Sequence, residues 1–171
     1  MQNRSFLPLL LAAALLTAGP PALGAAPAYR FIGQGAPDFA LRSAAGPNVR
    51  LSELRGEVVL LAFYGSRCGQ CGPQLAAIER LIGTYGSAGL AALAVNVDDD
   101  QTAARNFIAA QRVSLPMLLD PEKAVARAYR IDNLPMLLVI DRGGAIRHAH
   151  RDFRPADEAL YQQQIKVLLD E

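Results

Sequence analysis

The chain has 171 residues, with 17 basic against 16 acidic side chains and 2 cysteines. A near-neutral balance with no basic stripe excludes a nucleic-acid footprint. The length fits one domain plus a small extra segment.

That segment is at the start. Residues 1–26 have the three-part layout of a secretory signal peptide. Arg4 and the amino group give a positive start, Phe6 to Ala18 is apolar apart from Thr17, and small or turn-forming residues run from Gly19 to Ala26. The apolar run is short for a membrane span, which takes about 20 residues. Cleavage is expected after Gly24 or within Ala25 to Ala28, with an uncleaved membrane anchor as the alternative. No cysteine lies near that region for lipoprotein anchoring, and no Arg-Arg pair points to twin-arginine export. The expected location is the periplasm. Loss of Arg4 with the signal leaves basic and acidic residues equal in number. An exported cysteine pair enters an oxidising compartment, so a dithiol kept reduced there needs its own electron supply.

Residues 27–36, rich in small residues, Pro and Gly, read as an extended lead-in to a domain spanning 37–171. Pro37 to Leu41 alternates, with Phe39 and Leu41 on one face. Ala44 to Asn48 is a turn and Val49 to Leu51 returns, so a small hairpin is expected. Ser52 to Gly56 reads as a capped single turn. Val58 to Tyr64 is apolar throughout, as in a strand buried on both faces of a parallel sheet. Gln74 to Tyr85 is a helix, with Leu75, Ile78, Leu81 and Ile82 at helical spacing. Leu90 to Val97 is a second buried strand, followed by Asp98-Asp99-Asp100. Ala103 to Arg112 is a helix with Phe107 and Ile108 inward. Pro121 to Tyr129 is a shorter helix, with Asp120 as its cap and Pro121 at its first position. Met136 to Asp141, the turn Arg142-Gly143-Gly144 and Ala145 to Arg151 form a β-hairpin, and Pro155 to Leu169 is a closing helix. The order is hairpin, β-α-β-α, short helix, hairpin and helix. It calls for a three-layer α/β/α sandwich with a mixed central sheet and an N-terminal β-hairpin. Leu115 to Asp120 is nearly repeated at Leu134 to Leu138. This is the coincidence of two strand starts, since no longer period supports a repeat.

Both cysteines lie in Cys68-Gly69-Gln70-Cys71. Two thiols at this spacing, with no other cysteine to pair with, suit reversible dithiol/disulfide chemistry. The flanks put Cys68 at a strand-to-helix junction, where a helix N-terminus favours a thiolate. Closing so short a loop gains little chain entropy, so a purely structural disulfide is a weak use of it.

A strand, a Cys-x-x-Cys helix start and a later proline opening a β-hairpin together resemble the thioredoxin superfamily. The likeness covers roughly Pro37 to the C-terminus. Leu51-Ser52-Glu53-Leu54-Arg55-Gly56, the cysteine motif and the run from Asn133 to Gly144 resemble its exported TlpA/ResA-like, or redoxin, branch. The resemblance implies a thiol-disulfide oxidoreductase that reduces partner proteins, for example in cytochrome c maturation, fed by a membrane electron donor. It implies Cys68 as nucleophile and Cys71 as resolving thiol, joined as a disulfide in the oxidised state. It also implies a cis Pro135 facing the motif, with Leu134 offering backbone and an apolar contact to substrate, and Arg67, Gly69 and Gln70 beside the sulfurs. Pro116 is the rival proline. No cofactor is implied, and a monomer is the expected state. The chain departs from the branch at three points. Ser66-Arg67 stand where Trp is usual, Ala62 stands where cytosolic thioredoxins bury an aspartate, and Gln74 replaces a frequent Glu.

Two further readings compete. His148 and His150 share a face of the last strand and, with the cysteines, would make a Cys2His2 metal site, while a copper chaperone would hold its ion with Cys68, Cys71 and a histidine. The histidine spacing is tighter than usual, and two solvent-facing histidines on an edge strand are the plainer reading. Asp98 to Asp100 reads as a solvated loop that helps cap the next helix rather than as a calcium site. A thiol peroxidase ranks last, because its Pro-x-x-x-Thr/Ser-x-x-Cys pattern is absent around Cys68.

Overall fold

The computed structural model describes residues 29–171. The segment read as a signal peptide, 1–26, lies outside the described residues. Seven strands and four helices follow one another as β1 (Ala40–Ser43), β2 (Asn48–Arg50), β3 (Val58–Tyr64), α1 (Cys71–Tyr85), β4 (Leu90–Asn96), α2 (Gln101–Ala110), β5 (Met117–Leu119), α3 (Ala124–Ala128), β6 (Met136–Ile140), β7 (Ile146–Arg151) and α4 (Asp157–Leu169). They form one mixed sheet in the order β2-β1-β5-β4-β3-β6-β7. β3, β4 and β5 run parallel, while β6 and β1 pair antiparallel to β3 and β5.

The apolar run Val58–Tyr64 becomes the central strand because both its faces are covered. Val58, Leu60, Ala62 and Tyr64 point to a core shared with Leu75 and Ile78 of α1 and Tyr161, Ile165 and Leu168 of α4. Val59, Leu61 and Phe63 point to the opposite core, with Val125 and Tyr129 at α3 and with Phe39 and Tyr29. The layers are therefore unequal: α1, α2 and α4 cover one face, and only the short α3 and the N-terminal segment cover the other.

Among the differences from the sequence reading, four bear on the site and the core. First, the strand start at the first of the two near-repeats becomes a three-residue strand of its own, β5, which the expected element order left out. Its two faces are supplied by distant segments, which a three-residue run cannot advertise. Second, α3 begins at Ala124 rather than Pro121, because Lys123 adopts a left-handed φ of 53° that breaks the helix before it. Asp120 still serves the helix start, accepting from Ala124 N and Ala126 N at 2.9 Å each. Third, α2 begins at Gln101, capped by Asp100, whose carboxylate accepts from Thr102 N at 2.8 Å and Ala103 N at 3.2 Å. Fourth, the described part of the lead-in turns instead of extending. Ile32 N donates to Tyr29 O and Gln34 N to Phe31 O, with Gly33 at φ 80°. The turn lets Tyr29 tuck into the core and donate from Oη to Tyr129 O at 2.6 Å.

The histidines are a further correction. His150 does not face solvent: α4 lies over it, with the Tyr161 ring 4.7 Å from the imidazole and Gln164 Oε1 2.7 Å from Nε2. Desolvation is the largest effect on the ring and pushes its pKa down, against the Gln164 hydrogen bond and the Asp157 charge. His148 is half-buried and is lowered by burial first, then by His150 and Arg147.

Candidate active site

β3 ends at Tyr64, and Gly65-Ser66-Arg67 carry the chain to Cys68 in a tight turn closed by Cys68 N donating to Gly65 O at 3.2 Å. A second turn, Cys71 N to Cys68 O at 3.2 Å, starts α1. Cys71, not Cys68, is the first helical residue, so Cys68 precedes the helix start where the sequence placed it. Pro73 falls in the first turn, where a missing N–H is tolerated. The cysteines form a disulfide with Cα atoms 5.4 Å apart. They differ sharply in exposure. Cys71 is 0% exposed beneath the helix, while Cys68 is half-buried at the surface.

Cys68 opens onto a cleft of about 470 Å³. Gly65, Arg67 and Cys68 form one wall, Asp98 lies beside them, and Leu134 and Ile131 supply apolar surface opposite. Of the residues proposed from sequence, the structure brings Arg67, Cys68 and Leu134 together at this cleft. Gly69 and Gln70 are exposed outside its lining, and Pro135 and Cys71 are buried behind it. The Leu134–Pro135 peptide is the cis bond among the described residues, and Pro116 is not. Neither His148 nor His150 lines the cleft. Among the described residues no group of three or more His, Cys, Asp or Glu side chains is placed to hold a metal ion.

Ala62 is buried under this region and paired with Leu137 of β6. Gln74, 1% exposed, uses its amide to donate to Tyr161 Oη at 3.3 Å. Burial pushes the Tyr161 phenol up to about 12, so it is neutral at ordinary pH.

Sequence reasoning missed Asp98. Only Asp100 of the acidic run caps α2. Asp98 turns back toward β3, where its two oxygens accept from Ser66 N at 3.1 and 2.8 Å. Asn96, itself 1% exposed, adds a bond from Nδ2 at 2.8 Å and accepts from Asp98 N at 3.1 Å. A Cβ placed on Gly65 would lie 3.2 Å from both Asp98 Oδ1 and Leu134 Cδ1. The Cys68 loop is therefore clasped between the end of β4 and the segment before β6, with glycine where the two approach. The signal available in the sequence was position: Asp98 lies just past the carboxyl end of a strand parallel to β3, where open α/β sheets bind ligands.

Four likenesses to known proteins bear on this geometry. The sequence model of the AhpC/TSA family matches residues 32–149. Thiol-disulfide oxidoreductase ResA of Geobacillus kaustophilus is 32% identical over 116 residues, which cover 68% of this chain and 67% of that protein. The crystal structure of a DsbE-type thiol:disulfide interchange protein from Chlorobium tepidum superposes with a TM-score of 0.77 at 35% identity, covering 81% of this chain and 97% of that one. A solution structure assigned as a protein disulfide isomerase from Bacteroides thetaiotaomicron gives 0.76 at 31% identity, covering 84% and 94%. The chain belongs to the AhpC/TSA family, has the thioredoxin-like fold of these relatives, and is a thiol-disulfide oxidoreductase.

Proposed function

We propose that the protein acts outside the cytoplasm as a reductant of disulfides in partner proteins, with Cys68 attacking and Cys71 resolving. The unequal burial of the two cysteines carries the assignment of attacking and resolving thiol. Only the half-exposed Cys68 is reachable from the cleft, while Cys71 sits behind it at the helix start. In the reduced protein, the Cys68 thiolate attacks one sulfur of the partner disulfide and expels the other as a thiolate. Cys71 then attacks Cys68 Sγ, releases the second partner thiol and restores the Cys68–Cys71 disulfide. Two electrons pass to the partner, and its two thiols take up the protons the dithiol gave up. An extended partner segment lies along Leu134 and Pro135 in the manner of an added strand.

The signal-peptide pattern supports export to the periplasm, and among the described residues no helix is long and apolar enough to cross a membrane. Return to the dithiol then requires an electron donor at the membrane. Partners in cytochrome c maturation follow from the resemblance to the ResA-like branch. The copper reading of the same thiols has less support, since no third His, Cys, Asp or Glu side chain joins them among the described residues.

Trapping tests the proposal. Cys71→Ala should accumulate a mixed disulfide on Cys68 with its partner, and Cys68→Ser should abolish both the adduct and insulin-disulfide turnover. A measured potential near about −120 mV, rather than at or below about −200 mV, refutes the reducing direction. Absence of any adduct in the native compartment refutes the exchange reading.

A further inference from the structure

Resting on the exchange reading above, we infer that the partner carries an acidic residue beside the cysteine that Cys68 attacks, and that Arg67 selects it. The inference comes from a charge census of the cleft. Asp98 is occupied by Ser66 and Asn96. Lys123, on the same lining, pairs with Asp99 at 2.8 Å. Asp132 faces Arg151 at 3.3 Å, and Asp152 accepts from Asn133 Nδ2 at 2.9 Å. Arg67 alone among the charged lining residues is exposed with no side-chain hydrogen bond or ion pair to any described residue. It also lines the adjoining depression of about 270 Å³, where Asp98, Asp99 and Asp100 are engaged by Ser66 N, Lys123 and Thr102 N respectively.

An unpaired cation beside the attacking sulfur does two things to an approaching chain. It attracts a carboxylate on the residue next to the partner cysteine, and the planar guanidinium can hold that carboxylate through two donors. It repels a lysine or arginine at the same position, which is the discriminating half of the effect. The apolar surface of Leu134 and Ile131 opposite takes a nonpolar neighbour, so the favoured segment pairs one acidic and one apolar residue with its cysteine. The pair is exposed, so the preference is modest and falls with salt.

Two short peptides, each joined through its single cysteine to a chromogenic aryl thiol, test this. They differ only in Glu or Lys beside that cysteine. The reduced protein attacks the peptide sulfur and expels the aryl thiolate, whose absorbance reports the rate. The Glu peptide should react faster by roughly fivefold at low ionic strength, with the ratio shrinking as salt is added. Arg67→Gln should bring the ratio toward one, and Arg67→Glu should invert it. A ratio near one in the unaltered protein, or one unchanged in Arg67→Gln, overturns the inference. Equal slowing of both peptides in Arg67→Gln also overturns it, because Arg67 then acts on the Cys68 thiolate rather than on the partner. No aryl thiolate from either peptide overturns the exchange reading itself, and this inference with it.

Discussion

Replacing Asp98 with alanine should destabilise the fold and slow exchange together. The substitution removes the acceptor for Ser66 N and for the Asn96 side-chain amide. Hydrogen bonds to a charged acceptor contribute about 1.5–3 kcal/mol each, and a buried donor left unpaired costs about 1–3 kcal/mol. Asn96 is 1% exposed and its other amide atom is held by Asp98 N, so water does not replace the lost partner and the buried Tyr64 hydroxyl is the remaining neighbour for its amide. Ser66 is half-buried, so solvent recovers part of its loss. Counting Asn96 in full and Ser66 at about half gives roughly 2–4 kcal/mol, or a fall in Tm of roughly 5–15 °C for a domain of this size. Urea unfolding of the oxidised protein, with unchanged m, reads the first effect. The rate of insulin reduction reads the second, because the Cys68 loop loses its tie to β4. Asp98→Asn keeps one oxygen acceptor and should lose about half as much. A Cys68-active Asp98→Ala protein within about 0.5 kcal/mol of the parent would show that the clasp contributes nothing.

Three other substitutions follow from the same reasoning. Gly65→Ala brings a methyl within 3.2 Å of Asp98 Oδ1 and Leu134 Cδ1. It should cost about 1–2 kcal/mol by overpacking and slow attack by Cys68, and urea midpoints and exchange rates identical to the parent's would refute the close approach. Burial lowers the His150 pKa in the folded state, so the unfolded chain binds its proton at higher pH. Stability should therefore fall as pH drops below about 6.5, and His150→Gln should flatten that part of the profile in urea midpoints taken at successive pH values. An unchanged slope would assign the effect elsewhere, His148 being the next group of the same sign. Tyr29→Phe removes the 2.6 Å bond to Tyr129 O and should cost about 1 kcal/mol, with faster proteolysis in residues 29–36 as the check.

What the sequence disclosed depended on how far away each residue's partners lie. Val58–Tyr64 was legible because a strand covered on both faces needs apolar residues at nearly every position, and the Tyr64 hydroxyl is the one polar side-chain group in the run. Pro135 was separable from Pro116 because a hairpin follows it directly. Asp98 was not legible: its partner Ser66 is 32 positions earlier, and an acid beside two others looks solvated from the sequence alone. Nor was His150, since alternation along β7 gives its face of the sheet but not the helix that covers that face. The start of α3 failed differently. Asp120-Pro121 is a sound helix-start signal, and Asp120 does serve the helix, but the left-handed Lys123 delays the first turn by three residues.

The clasp around Cys68 has a consequence for how the protein matures. The two cysteines are three positions apart in the chain, so an unfolded molecule that turns there can already form and break their bond. The cleft cannot exist that early, because its walls come from residues as far apart as Gly65, Asp98 and Leu134. Small disulfides can therefore react with the nascent chain, but choice among protein partners waits until β4 and β6 have docked on either side of β3. Selectivity is thus acquired later than reactivity, and a chain truncated before β6 would exchange disulfides without discrimination.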